Sequence, residues 1–423
     1  MPNRGLDQRD DLRRRLRRLG LVRGVGDLLP SSRRRIAIER LVEGTFHDTP
    51  HGRCFVVEAA FPADHRHGGL PLGAFLDLSS QVLAAVGGEP SLAGVDLAQT
   101  LFLDTETTGL SGGTGTMAFL VGLGFFEGDH FRILQVFLRD PGDEPALVHF
   151  LEERLPRFQA LVTFNGRGFD LPILETRFIL ARRPFPLATI PHLDLLGPAR
   201  RLWRGRLPSC ALGALEREVL RVRRDQADVP GGLIPYVYRD YLRTGDAREM
   251  TGVLYHNQVD VLSMVTLATR LGRAFADPQR DPGLGGAELY SLARWYREVG
   301  GDVEGTLRAA LAAGLPAPLR LRALRDLGLW LRREGRRAEA VQWWQQLALE
   351  DPAGVLAPVE LAKTFEWHLR CLPLAVGWTR LALARAGRWP AGPRRDRMLA
   401  ALHHRLGRLT GRRYRLGGRG GDV

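Results

Sequence analysis

Three segments of this 423-residue chain hold carboxylates at spacings that can do chemistry. The first reads Leu101-Phe102-Leu103-Asp104-Thr105-Glu106-Thr107-Thr108-Gly109-Leu110. Its apolar start predicts a strand, and because side chains alternate across a strand, Asp104 and Glu106 share one face. Two such carboxylates repel each other and lose solvation, and a divalent cation is the simplest stabiliser of the pair. The second segment, Leu161 to Asp170, predicts a buried strand, a glycine-containing turn through Asn165-Gly166-Arg167-Gly168, and an acid, Asp170, at the start of a helix. The third is Tyr255-His256-Asn257-Gln258-Val259-Asp260 on a long helix. At about 100° per residue, His256 and Asp260 lie roughly 40° apart on one face, and Tyr255 about 140° from Asp260. Singly, each segment also fits a plainer role: a strand end reaching solvent, an N-cap, a polar helix face. Together Asp104, Glu106, Asp170 and Asp260 supply four negative charges, which match two Mg²⁺. Two such ions about 3.5–4 Å apart clamp the attacking and leaving oxygens of an in-line phosphoryl displacement.

The elements that must position these acids alternate between strand and helix. Thr100–Asp104 reads as a continuous apolar strand. Met117–Phe126 and His130–Arg139 read as β-rich runs joined by the turn Glu127-Gly128-Asp129. Helical periodicity follows at Pro145–Leu155, a buried strand at Ala160–Phe164, a helix at Asp170–Leu180, a short strand at Leu193–Leu196 and a long helix at Ala247–Leu271. The fold class is therefore α/β, a mixed sheet flanked by helices over residues 98–276. Residues 44–97 form an N-terminal extension packed on that domain, with one short strand at Cys54–Ala60. After a Gly/Pro-rich linker, residues 287–390 are purely helical and carry a tetratricopeptide-like spacing: Leu327-Gly328, Ala340, Trp344 and Pro352. One repeat length on, Leu361-Ala362, Phe365 and Trp378 fall in register; one repeat length back, Tyr290 and Pro318 do.

The residues that do the chemistry resemble a known family. The ordered set Asp104-x-Glu106, Asn165-x-x-x-Phe169-Asp170 and His256-x-x-x-Asp260 is similar to the DEDD 3′→5′ exonucleases of the ribonuclease H-like superfamily. The run Asp-Thr-Glu-Thr-Thr-Gly-Leu at 104–110 is close to that family's first motif. The fuller arrangement includes Ser111-Gly112-Gly113-Thr114-Gly115-Thr116, His192-Leu193-Asp194-Leu195 and the helical repeats. It resembles the bacterial YprB-like exonucleases, the mitomycin-repair-factor B group, over roughly residues 44–385. The resemblance implies a ribonuclease H-like exonuclease domain followed by an all-α tetratricopeptide-like domain. It implies hydrolysis of DNA from the 3′ end, in repair, beside a helicase bound through the repeats. Two ions of Mg²⁺ or Mn²⁺ would be held by Asp104, Glu106, Asp170 and Asp260. Thr107, Thr108 and Leu110 would contact the terminal nucleotide. Asn165 orients the Asp170 turn or a phosphate. The family usually places a His five residues, or a Tyr four, before the last Asp. Here the His stands at four and Tyr255 at five. Helix geometry favours His256, whose imidazole can take the proton of the attacking water, with Tyr255 as the alternative. An RNA exonuclease, a structure-specific endonuclease and a non-catalytic adaptor are the competing functions.

Charge placement agrees with a polyanionic partner. The net charge is +13, and of the 60 basic residues all but Lys363 are arginine. Residues 1–43, a basic arm with a short amphipathic helix around Leu12, Leu16 and Leu19, carry +6; residues 394–423, within a basic tail at 391–423, carry +7. Arms of this kind attract nucleic acid or anionic membranes, and binding to phosphates should weaken steeply with salt. Arg200, Arg201, Arg204 and Arg206 around Trp203 hold the ingredients of a single-strand binding surface, and equally fit a solvated helix face with a packed Trp. Three separated cysteines exclude a disulfide framework. With no apolar signal core and no run long enough to span a bilayer, the expectation is a cytoplasmic protein.

Overall fold

The computed structural model describes residues 35–109, 115–225, 228–281 and 283–417, with residues 412–417 as backbone. The chain divides into two compact units, residues 1–276 and 277–423. The predicted N-terminal arm helix and Leu110 lie outside the described residues.

The first unit is built on a seven-stranded mixed sheet. Its strands are β1 (Thr45–Thr49), β2 (Gly52–Pro62), β5 (Thr100–Thr107), β6 (Ala118–Glu127), β7 (His130–Phe137), β8 (Ala160–Thr163) and β9 (His192–Asp194). The order across the sheet is β1-β2-β7-β6-β5-β8-β9, and β3 (Arg66–His67) with β4 (Leu70–Pro71) form a separate small pair. The pairings from β1 to β5 are antiparallel; β5, β8 and β9 run parallel. The N-terminal extension therefore adds two strands to the central sheet, where the sequence suggested one short strand. Helices α1 (Ser80–Gly87), α2 (Glu144–Arg154), α3 (Asp170–Leu180), α4 (Leu196–Trp203), α5 (Ile234–Thr244) and α6 (Met250–Ala276) surround it. The chain enters α4 at Leu196, so β9 is shorter than the predicted strand.

Strand alternation assigns the two faces. Leu101, Leu103, Phe119, Val121 and Leu123 join side chains of α2, α3 and α5 in one core, where Phe119 stacks on Tyr238 with ring centroids 3.9 Å apart. The opposite face receives α6, which packs on β5, β6 and β7. In β5 every residue except Asp104 and Glu106 is buried. Trp203 of α4 is 1% exposed. Its ring is a core side chain and offers no stacking surface to a base, as expected of a solvated helix face with a packed tryptophan.

The second unit is all-helical: α7 (Gly286–Val299), α8 (Val303–Ala312), α9 (Ala317–Arg333), α10 (Arg337–Glu350), α11 (Leu356–Trp367), α12 (Leu372–Gly387) and α13 (Pro393–Gly417). Each helix packs on the next, and α7 also meets α9, where the Tyr290 hydroxyl donates to Asp326 at 2.8 Å. Gly328 has a steric reason: a Cβ there would stand 2.7 Å from the Trp344 ring. Small residues on α9 thus let α10 bury its tryptophan. Most of the segment read as a basic tail is α13. Arg405 and Arg408 both pair with the fully buried Glu366 of α11, so part of that positive charge is neutralised internally. No helix among the described residues is long and apolar enough to cross a membrane.

Candidate active site

Asp104 and Glu106 stand at the end of β5, on the face covered by α6. A row of cross-strand partners fixes Asp104: it lies opposite Gly122 of β6, which lies opposite Gln135 of β7. Over this row sits Asn257 of α6, wholly buried. Gln135 Nε2 donates to Asn257 Oδ1 at 2.8 Å; Asn257 Nδ2 donates to Asp104 Oδ2 at 2.7 Å. Gly122 makes the approach possible, since a Cβ there would lie 2.3 Å from Asn257 Oδ1. Gly122→Ala is therefore expected to destabilise the protein by about 1–3 kcal/mol and to loosen Asp104. Gly197→Ala, with open space around its Cβ in α4, should be neutral or stabilising. Chemical denaturation of the two variants checks this; equal midpoints would refute it.

Asp170 is the first residue of α3 and does not cap it. Its Oδ1 accepts from the backbone N–H of Thr105 at 3.1 Å and from the Thr105 hydroxyl at 2.5 Å. The residue between the two acids of β5 thus holds the third. Asp260, one turn beyond His256 on α6, gives Oδ1 to the guanidinium of Arg224. His256 Nε2 is 3.7 Å from Asp260 Oδ2 and 4.0 Å from Glu106 Oε1. Tyr255 is turned elsewhere: its hydroxyl accepts from the N–H of Asp225 at 3.0 Å. The geometry thus brings together Asp104, Glu106, Asp170, His256 and Asp260, and leaves Tyr255 out.

The other candidate residues form the surrounding loops. Thr107 is buried, and its hydroxyl donates to the carbonyl of Gly109 at 2.6 Å. Thr108 ties the loop closed: its Oγ1 accepts from Met117 N–H at 3.0 Å and its own N–H donates to Met117 O at 2.9 Å. Asn165 is exposed and left-handed, with φ of 66°. Asp194 caps the neighbouring turn, accepting from the N–H groups of Asn165, Arg167 and Leu196 at 2.8, 3.1 and 3.0 Å.

Sequence reading missed a buried polar relay behind the site. A short helical turn at Leu212–Leu215 runs on into a π-helical turn, Glu216–Leu220. Glu216 is 2% exposed and binds Arg224 through two bonds, from Nε at 2.7 Å and Nη2 at 2.6 Å. Ser263 donates to Glu216 at 2.7 Å, and the buried His67 contacts Ser263 at 2.8 Å. Burial pushes the His67 imidazole down to about 4. Arg224 faces Asp260, His256 and Asp228. Its two acidic partners, Glu216 and Asp260, outweigh burial and strengthen its charge.

Four acids in so small a space perturb each other. Burial, then Asp260 and Asp170, drives the Asp104 carboxyl well above its ordinary range. Burial, then Asp104 and Asp260, does the same to Glu106. Burial raises Asp170 to about 6 against the bonds from Thr105. Burial also raises Asp260, although His256 and Arg224 oppose it. As hard oxygen donors crowded together, with Arg224 the cation that pairs with Asp260, the four suit Mg²⁺ or Mn²⁺ in chemistry. Among the described residues no three acidic, histidine or cysteine side chains are already drawn around one point as a metal centre.

This sheet and acid set define a nuclease-type domain: residues 101–272 match the sequence profile of the RNase_H superfamily. Nucleases of this class generally use divalent metals, and the domain implies a nucleic-acid substrate. Over 327 residues the chain is 33% identical to "Uncharacterized protein YprB" of Bacillus subtilis (strain 168), covering 74% of this chain and 76% of that protein. The chain belongs to the YprB family.

Proposed function

We propose that the protein is a metal-dependent 3′→5′ exonuclease that hydrolyses DNA phosphodiester bonds and serves DNA repair. The observation that carries this reading is the convergence of Asp104, Glu106, Asp170 and Asp260, from three distant segments, beside the imidazole of His256. Asp104, Glu106, Asp170 and Asp260 would hold two ions of Mg²⁺ or Mn²⁺. When bound, these supply Lewis acidity and neutralise charge developing on the phosphate. His256 takes a proton from water at Nε2, the water oxygen attacks phosphorus, and the P–O3′ bond breaks to free a nucleoside 5′-monophosphate while O3′ of the shortened strand takes a proton from solvent. The loop closed by Thr108, with Thr107 and Leu110, would contact the terminal nucleotide; Asn165 would orient a phosphate. The helical repeats would recruit a protein partner such as a helicase, and the protein would act in the cytoplasm.

One observation favours a non-catalytic adaptor instead: Arg224 already pairs with Asp260. A gel assay separates the two. The substrates are a 5′-labelled single strand and a 3′-recessed duplex, each with Mg²⁺, Mn²⁺ or chelator. The expected result is a metal-dependent ladder shortening from the 3′ end, absent in Asp104→Ala. Intact substrate under every condition, with DNA bound, would favour the adaptor. An RNA strand run in parallel tests the substrate sugar.

A further inference from the structure

His256 meets two groups at one ring nitrogen. Asp228 Oδ1 lies 2.8 Å from Nδ1, and Arg224 Nη1 lies 2.9 Å from the same atom. An arginine nitrogen only donates and an ionised carboxylate only accepts, so the two contacts demand opposite states of Nδ1. Arg224 Nη1 also reaches Asp228 Oδ1, at 3.4 Å. If Nδ1 carries the hydrogen, the ring and the guanidinium both donate to that one oxygen, and no lone pairs face each other. If Nδ1 is bare, its lone pair confronts the carboxylate at 2.8 Å. The hydrogen on Nε2 would then face Asp260 and Glu106 at 3.7 and 4.0 Å, beyond hydrogen-bond reach. Arg224 does not depend on the imidazole as an acceptor: Glu216, Asp260 and Asp228 take four of its five N–H hydrogens, and each of its three nitrogens has a carboxylate partner.

We infer that Asp228 is a positioning residue that fixes His256 with its proton on Nδ1, so that the lone pair of Nε2 faces Asp260 and Glu106. Orientation of an imidazole by a carboxylate on its far nitrogen is a general way to set the tautomer. Asp228 remains suited to this: burial pushes its carboxyl up, but the bond from His256 and the charge of Arg224 act in the opposite direction and it stays below its ordinary value. The consequence for rate rests on the nuclease reading; the tautomer does not.

The test uses the full chain, free of metal, with ¹⁵N-labelled histidine at pH 8. The His256 signals are identified by their loss in His256→Gln. The expected wild-type spectrum is that of the Nδ1–H tautomer. In Asp228→Ala the remaining neighbour of Nδ1 is the donor Arg224, so the proton should move to Nε2. Cleavage should then fall roughly 10²–10⁴-fold, in kcat rather than KM. A wild-type ring protonated on Nε2, an unchanged tautomer in Asp228→Ala, or a variant that cleaves at the wild-type rate would each overturn the assignment. The wild-type spectrum decides even if Asp228→Ala fails to fold. If the wild type cleaves no nucleic acid, the nuclease reading falls, and the spectra still judge Asp228.

Discussion

Asp104→Asn should reduce cleavage by more than the roughly 10–100-fold that loss of an outer-shell partner costs a metal site, and should make the metal-free protein more stable at neutral pH. The two effects have one cause. The amide keeps an oxygen for the bond from Asn257 Nδ2 but removes one of four crowded charges. The pH dependence follows from the direction of the shifts. Asp104, Glu106 and Asp170 have folded-state values raised above their ordinary ones, chiefly by burial. In that condition the folded chain binds more protons than the unfolded chain, and stability falls as pH rises. For Asp170 the window runs from its ordinary value of 3.8 to about 6, and the loss across it is of order 3 kcal/mol. For Asp104 and Glu106 the window extends upward from the ordinary carboxylate range. Melting temperatures of chelator-treated protein between pH 6.5 and 8 read this directly, above the window from about 4 to 6.5 in which the buried His67 and His192 act in the opposite sense. Wild type should melt lower as pH rises, Asp104→Asn should show a shallower decline, and Mn²⁺ should restore wild type at pH 8. A flat wild-type profile would contradict the burial of ionisable charge in this site.

The second large effect belongs to Arg224. Arg224→Met should destabilise the first unit by about 3–5 kcal/mol, the penalty for breaking a buried ion pair from one side. Glu216, 2% exposed, would keep the hydroxyl of Ser263 but lose its counter-charge, and Asp260 would lose its own. The double variant Arg224→Met/Glu216→Gln should recover part of the loss, because Glu216 is no longer left as an uncompensated charge while Asp260 still is. A chain with two units need not unfold in one step. Hydrogen exchange in peptides from α6 is therefore the better readout than a single melting curve. If Arg224→Met leaves exchange in α6 unchanged, the relay from His67 to Asp260 does not support the helix.

How much was legible in the sequence differs between local and distant features. The pairing of Asp104 with Glu106 and the placement of His256 over Asp260 rest on strand and helix periods, and both appear at the expected spacing. The mixed sheet and the helical second unit were legible for the same reason. What escaped has no period. Arg221, Arg223 and Arg224 are near neighbours outside any regular element, and nothing local says which guanidinium turns inward. Glu216 and Asp228 acquire their roles only through contacts with α6. Asn257 sits beside His256 in sequence, yet its importance depends on Gly122, far back along the chain in β6. The ion pairs of the tail were not legible because a basic helix exposes arginines on most sides. Only the fold reveals that Glu366 receives two of them.

Three of the four acids share a pattern. Asp104 has Oδ2 on Asn257, Asp170 has Oδ1 on Thr105, and Asp260 has Oδ1 on Arg224. Glu106 has neither oxygen in a hydrogen bond among the described residues, and its ion-pair contact there is His256 at 4.0 Å. The rotamer freedom of the three aspartates is therefore surrendered during folding. Glu106, with one more rotatable bond, still has its own to lose, on the order of 1 kcal/mol or somewhat more. Ordering on ligation would fall on this one side chain, which makes Glu106 the adjustable member of an otherwise rigid set and the place where tolerance for ions of different radius would reside.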